Sequence, residues 1–242
     1  MTTPRRVQQQ PAYILHHRPF RDSSQILDVL SRDHGKLSLV ARGSRGAKSR
    51  LRGILRPFMP LSMSWFLKSD LGTLTGAEIQ GAPLSLAGDA LLSGYYVNEL
   101  LLHFLHRHDP QPGIFDLYAQ TVRSLAAAQS IAPCLRRFEI ELLRQIGYAL
   151  NLDHESASQQ PLAAQQNYEY RVEQGPVAVD KTEGLLVFGG ATLAAIGAQE
   201  FDDPGTLRAA NRLMREVVSF HLGGKELKSR KVLLEIHRNK KS

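Results

Sequence analysis

The chain has 242 residues, 43% of them hydrophobic and 22% charged, which suits one or two ordinary globular domains, each with its own core. A single cysteine, Cys134, excludes internal disulfides and thiolate zinc clusters and fits a reducing cytoplasm; the basic start lacks a signal peptide's apolar run, and no stretch approaches the roughly 20 apolar residues of a membrane span. The net charge of +7 is uneven: Met1 to Arg56 holds twelve Lys or Arg against Asp22, Asp28 and Asp33, or +9, leaving −2 for the rest, which points to a polyanion partner rather than to an evenly solvated surface.

The first part of the chain reads as short strands. Ala12 to His16 is followed by a polar turn around Arg18 to Ser23. Gln25 to Leu30 and Lys36 to Val40 alternate, with His34-Gly35 as the hairpin turn between them. Leu61 to Lys68 and Thr73 to Ile79 supply two more, separated by the Ser69 to Gly72 turn. Five such strands suit a small Greek-key barrel of the OB type, with a small sandwich or SH3-like barrel as alternatives.

From Pro83 the period changes to that of helices. Leu86 to His106, Ile114 to Ala128 and Leu135 to Ala149 carry apolar residues at helical spacing, with breaks at Pro110 and Pro112 and Pro133 near the third start. A polar stretch, Asn151 to Asn167, leads to alternating segments at Tyr168 to Val172, Val177 to Val179 and Leu185 to Phe188, a small β-module. Closing helices are expected over Thr192 to Ala198, Thr206 to His221 and Leu227 to Arg238, the second opened by Asp203-Pro204 and stopped by Gly223-Gly224. The fold class is α+β: residues 1–82 form a five-stranded OB-fold barrel, and 83–242 a helical domain with the β-module embedded at about 151–190.

The strongest local signal is Arg42 to Arg52, where Arg42, Arg45, Lys48, Arg50 and Arg52 are interleaved with glycine and serine. Such a segment can approach a phosphate backbone closely and offer charge, hydroxyl and main-chain N–H together. It has no reading helix with Asn or Gln, so its contacts position a strand rather than read its bases. Lys36 and Arg56 widen the surface. Tyr13, Phe20, Phe58, Trp65 and Phe66 are candidates for base stacking, against the plainer reading as barrel core.

Other chemistry finds little support. Glu99, His103 and His106 share a helical face at a spacing zinc can use, but nothing nearby completes a coordination shell. Leu222 to Lys225 lacks phosphate-loop spacing and follows a helix, no carboxylate cluster could hold paired magnesium ions, and Cys134 has no histidine base. No enzyme activity, metal or cofactor is expected. Arg136-Arg137 lie beside the apolar face of Leu135, Phe138 and Leu142; an Arg–Glu pair within the helix is the plainer reading, and a pocket for an acidic, apolar peptide tail the other.

Several segments in order resemble the RecO family: Leu39 to Arg45, Ser49 to Phe58, Tyr95 to Leu101, Leu135 to Glu139 and Leu222 to Arg230. The resemblance covers nearly the whole chain. It implies an N-terminal OB-fold and a helical domain, binding of single- and double-stranded DNA, strand annealing, and cooperation with RecR to load RecA onto coated DNA. It further implies that the helical domain captures the C-terminal tail of single-stranded DNA-binding protein, with Arg136 as leading carboxylate ligand and Arg137 second. Lys225, Lys228 and Arg230 either extend the DNA track or cap helices. Many family members carry a four-cysteine zinc module where this chain has Asn151 to Phe188; here those cysteines are missing, so the module must hold without metal. An RNA-binding OB-fold module is the alternative function.

Overall fold

A computed structural model describes residues 5–127 and 130–239. Five strands, β1 (Arg5–Phe20), β2 (Ser24–Ser31), β3 (Gly35–Ala41), β4 (Leu61–Leu67) and β5 (Leu71–Ile79), close into a barrel of order β1-β2-β3-β5-β4. All pairs are antiparallel except β3 with β5, the OB arrangement. The first strand is longer than the sequence suggests and runs through the expected turn at Arg18. Register shifts between Val7 and Gln10 and between Ile14 and His16 bend it, so it pairs mostly with β4 early and with β2 late.

Alternation fills the barrel with Val7, Ile14, Leu27, Val29, Leu37, Leu39, Leu61, Met63, Trp65 and Leu74. The stretch Ala12 to Leu15 is buried without a break. Ile14 belongs to the barrel core, while Tyr13 packs on Phe115 and Tyr118 at ring-centroid distances of 5.4 and 5.0 Å. Those rings belong to α2 (Pro112–Ala126), which packs with α1 (Gly88–Phe104). Asn98 of α1 donates to the Leu15 carbonyl (2.7 Å) and accepts from the Tyr118 hydroxyl (2.8 Å), so one buried amide joins strand and both helices. The closing helix α6 (Lys228–Asn239) also packs on α1.

By spatial contact the chain forms two compact units, Met1–Gln129 with Leu227–Ser242, and Ser130–Glu226. The first therefore holds α1, α2 and α6 as well as the barrel. Its hairpin between β2 and β3 turns at Gly35, where φ is +65° and a Cβ would lie 2.1 Å from the Asp109 carbonyl oxygen; no other residue fits there.

The second unit contains α3 (Ile131–Gln145), α4 (Gly190–Gly197), α5 (Pro204–His221) and a sheet of β6 (Asn167–Arg171), β7 (Gly175–Val179) and β8 (Val187–Gly189) in the order β7-β6-β8. This module is held by side chains: Tyr168, Tyr170, Val187 and Phe188 are buried. The Tyr168 hydroxyl accepts from the Ala163 amide (2.9 Å), Gln166 Nε2 donates to the Val179 carbonyl (2.9 Å), and the Arg212 guanidinium lies 5.0 Å from the Phe188 ring centroid.

Helix ends differ from expectation by a few residues for local reasons. α3 stops at Gln145 rather than Ala149 because Gly147, at φ +89°, turns the chain out of the helix. α1 ends at Phe104 where Leu105 becomes extended. β8 starts at Val187 because Gly184 to Val187 forms a turn, the Val187 amide donating to the Gly184 carbonyl (3.4 Å), which leaves Leu185 64% exposed. α5 opens as read, with Asp203 accepting from the Thr206 amide at 2.6 Å and Pro204 in the first turn. Ala128, the expected end of the second helix, lies outside the described residues. Among the described residues no helix is long and apolar enough to cross a membrane.

Candidate nucleic-acid interface

Between β3 and β4 the chain rolls through successive turns rather than crossing as an open loop. Gly46, Ser49, Arg52 and Ile54 each donate a backbone N–H to the carbonyl three residues earlier. Its first residues are tied down: the buried Ser44 hydroxyl donates to the Ala41 carbonyl (2.9 Å), and the Arg45 amide to the Ser23 carbonyl (2.8 Å) in the turn between β1 and β2. Gly43 makes the entry turn at φ +62°.

The underside of this segment is apolar. Leu55 and Met59 belong to the barrel core, and Leu51 and Ile54 pack against it. Its outer side is cationic: Arg42, Arg45, Lys48, Arg50, Arg52 and Arg56 are all exposed. Among the described residues none of the six takes part in a salt bridge. The apolar foot was missed in the sequence, although Leu51, Ile54 and Leu55 fall at i, i+3 and i+4, the spacing of a buried face.

Lys36 does not join this surface. It is half-buried at the start of β3, the opposite end of that strand from Arg42, and its ammonium donates to the Leu102 carbonyl in the last turn of α1 (2.6 Å). Burial lowers its pKa, Arg107 adds to the effect and Asp28 opposes it. Its charge complements a helix C-terminus, a different setting from the exposed cations of the β3–β4 segment. Tyr13, Phe58 and Trp65 are buried, so stacking by these three is excluded; Phe20 and Phe66 are half-buried, with Arg21 and Lys68 at 5.2 and 5.5 Å from their ring centroids.

Glu99 is not poised for metal. Its carboxylate accepts from the backbone amides of Lys228 and Ser229 (2.9 Å each) and from the Ser229 hydroxyl (2.6 Å), capping α6. Lys225 and Lys228 are exposed and Arg230 is half-buried.

The two arginines of α3 separate sharply. The Arg136 side chain is 12% exposed; one terminal nitrogen donates to Glu139 Oε1 (2.5 Å) and the other to Asn211 Oδ1 (3.0 Å). Arg137 is exposed, donates to the Gln199 carbonyl (3.4 Å) and stands 5.5 Å from the Phe201 ring centroid. Gln199 also borders a cleft of about 360 Å³ floored by Ile140, Leu152 and Ala194, with Arg144 paired to Glu141 at its edge. Arg136 is thus engaged inside the unit, and Arg137 is the more exposed of the two.

A closed five-stranded barrel whose rolled β3–β4 segment exposes six cations, none in a salt bridge among the described residues, is the arrangement of OB-fold proteins of the nucleic-acid-binding class. Comparison with known proteins narrows this. The family model described as Recombination protein O N terminal matches residues 5–82, and that described as Recombination protein O C terminal matches 86–231. The DNA repair protein RecO of Dechloromonas aromatica is 44% identical over 235 residues, spanning 96% of this chain and 97% of its own. Those of Azoarcus sp. and Nitrosococcus oceani are 42% and 43% identical, covering 98% and 96% of this chain and 99% and 95% of theirs. The chain belongs to the RecO family of DNA recombination and repair proteins.

Proposed function

We propose that this protein binds single- and double-stranded DNA through Arg42, Arg45, Lys48, Arg50, Arg52 and Arg56, and anneals complementary strands without making or breaking a covalent bond. The observation that carries the reading is the two-sided β3–β4 segment: an apolar foot in the barrel and six exposed cations above it, none in a salt bridge among the described residues. Each phosphate neutralised there releases counterions, and cations between two strands offset their mutual repulsion.

The second unit serves recruitment. Arg137, beside Phe201 and the cleft floored by Ile140, Leu152 and Ala194, suits the carboxylate and apolar side chains of the C-terminal tail of single-stranded DNA-binding protein. Together with RecR, the protein then promotes loading of RecA on coated strands. Strand annealing tests this with naked and with coated DNA. Wild type anneals both without ATP, whereas Arg137→Ala anneals naked strands only. Failure of wild type on naked complementary strands sinks the DNA-annealing function; equal performance of Arg137→Ala on coated strands sinks the tail site.

A further inference from the structure

Two helices of the second unit, α3 and α5, pack together, and the residues at their C-terminal ends project aromatic rings. At the end of α3, Gly147 takes a φ of +89° and the Tyr148 amide reaches back to the Leu143 carbonyl (2.8 Å), which fixes where Tyr148 leaves the helix. At the end of α5, Gly223 and Gly224 take φ of +62° and +74° behind Phe220 and His221. The result is a short row of rings. Tyr148 stacks on His221 with centroids 4.3 Å apart and planes 28° apart, and Phe220 meets His221 edge-on at 5.4 Å.

These rings are not core. Tyr148 is 48% exposed and Phe220 50% exposed. Beside them opens a cleft of about 240 Å³, bordered by Tyr148, His221, Asn151, Glu173 and Gln174. Glu173 sits in the left-handed region at φ +67°, a strained conformation for a residue with a side chain. The cleft therefore joins flat apolar faces to hydrogen-bonding amide and carboxylate groups. Burial lowers the pKa of His221, against a smaller opposing pull from Glu173.

Flat faces, polar edges and a carboxylate suit an unpaired nucleobase better than a phosphate. A base stacks on tyrosine whatever its identity, and amino edges such as that of cytosine donate to a carboxylate or amide. We propose that Tyr148, His221 and the adjoining cleft form a stacking site for one unpaired base of single-stranded DNA. The site is separate in kind from the cationic segment, because it holds bases where that segment holds phosphates. This inference rests on the reading of the protein as a binder of single strands.

The test compares oligo-dC with an abasic strand of equal length and charge, by equilibrium anisotropy, for wild type, Tyr148→Ala and Tyr148→Phe. Tyr148→Ala is expected to weaken oligo-dC binding about tenfold and leave abasic binding unchanged, and Tyr148→Phe to restore the oligo-dC affinity. In Tyr148→Trp, indole emission should be quenched by oligo-dC and not by the abasic strand, with Trp65 buried at 1% exposure as a constant background. An Ala variant that binds oligo-dC as wild type does, or that loses both strands equally, overturns the site. Wild type that binds neither strand overturns instead the single-strand reading beneath it.

Discussion

Glu99 of α1 holds Ser229 of α6 through two hydrogen bonds, from its amide at 2.9 Å and its hydroxyl at 2.6 Å. The carboxylate thereby caps a helix that begins 129 residues later in the chain. Burial alone would raise the Glu99 pKa, but the Ser229 and Lys228 hydrogen bonds and the nearby His103 outweigh it, and the net shift is downward. A depressed carboxylate pKa contributes stability that is present above the unfolded value of about 4.3 and lost as pH falls through the folded value. Glu99→Ala should therefore cost about 1 kcal/mol in urea unfolding at neutral pH. The gap between variant and wild type should close below about pH 4, and an unchanged gap there would show that the carboxylate charge plays no part.

Salt dependence separates the cations. Replacing any one of Arg45, Lys48, Arg50 or Arg52 by alanine should flatten the slope of log affinity against log salt on single strands by about 0.7. Lys36→Ala should leave that slope unchanged, because its ammonium is bound to the Leu102 carbonyl. Anisotropy titrations at four salt concentrations would decide, and equal slopes for all five variants would remove the segment from the interface.

The two neighbouring arginines of α3 should part in the same way. Arg136→Ala removes a cationic partner of Glu139, whose side chain is 1% exposed, and should cost about 3 kcal/mol in chemical denaturation. Arg137→Ala should unfold as wild type does while losing a peptide that carries the acidic tail, measured by calorimetry. A stable Arg136→Ala that fails to bind the peptide would restore the order expected from sequence.

Asn98 offers a test of the joint between barrel and helices. Asn98→Leu strands the Leu15 carbonyl and the Tyr118 hydroxyl, both buried, and should cost about 2 to 4 kcal/mol. Tyr118→Phe, which removes one of those bonds, should cost about 1 kcal/mol. A double variant whose loss falls short of the two added together would show that the groups act as one network.

Much of the fold is legible where periodicity is local. Lys36 to Val40 alternates and is a strand; Asp203-Pro204 marks a helix start and is one. The cationic stretch from Arg42 was visible as charge spacing. What sequence hides is the partner. Lys36 reads like any other lysine, because the carbonyl that holds it lies 66 residues away. Arg136 and Arg137 look equivalent as a pair, yet one step around a helix of 3.6 residues per turn takes one inward and the other to solvent. The unbroken apolar run Ala12 to Leu15 did carry a sign of burial on both faces, but with no helix near it in sequence, the second covering layer could not be named.

That run makes β1 a party wall between two rooms. Cutting the chain after residue 82 would keep every strand of the barrel yet strip the cover from Tyr13 and Leu15, leaving a greasy face and a Leu15 carbonyl without its Asn98 donor. The two matched family segments, residues 5–82 and 86–231, thus meet inside the first compact unit. Amide protons of Ala12 to Leu15 would then exchange only when barrel and flanking helices open together, as a single cooperative block.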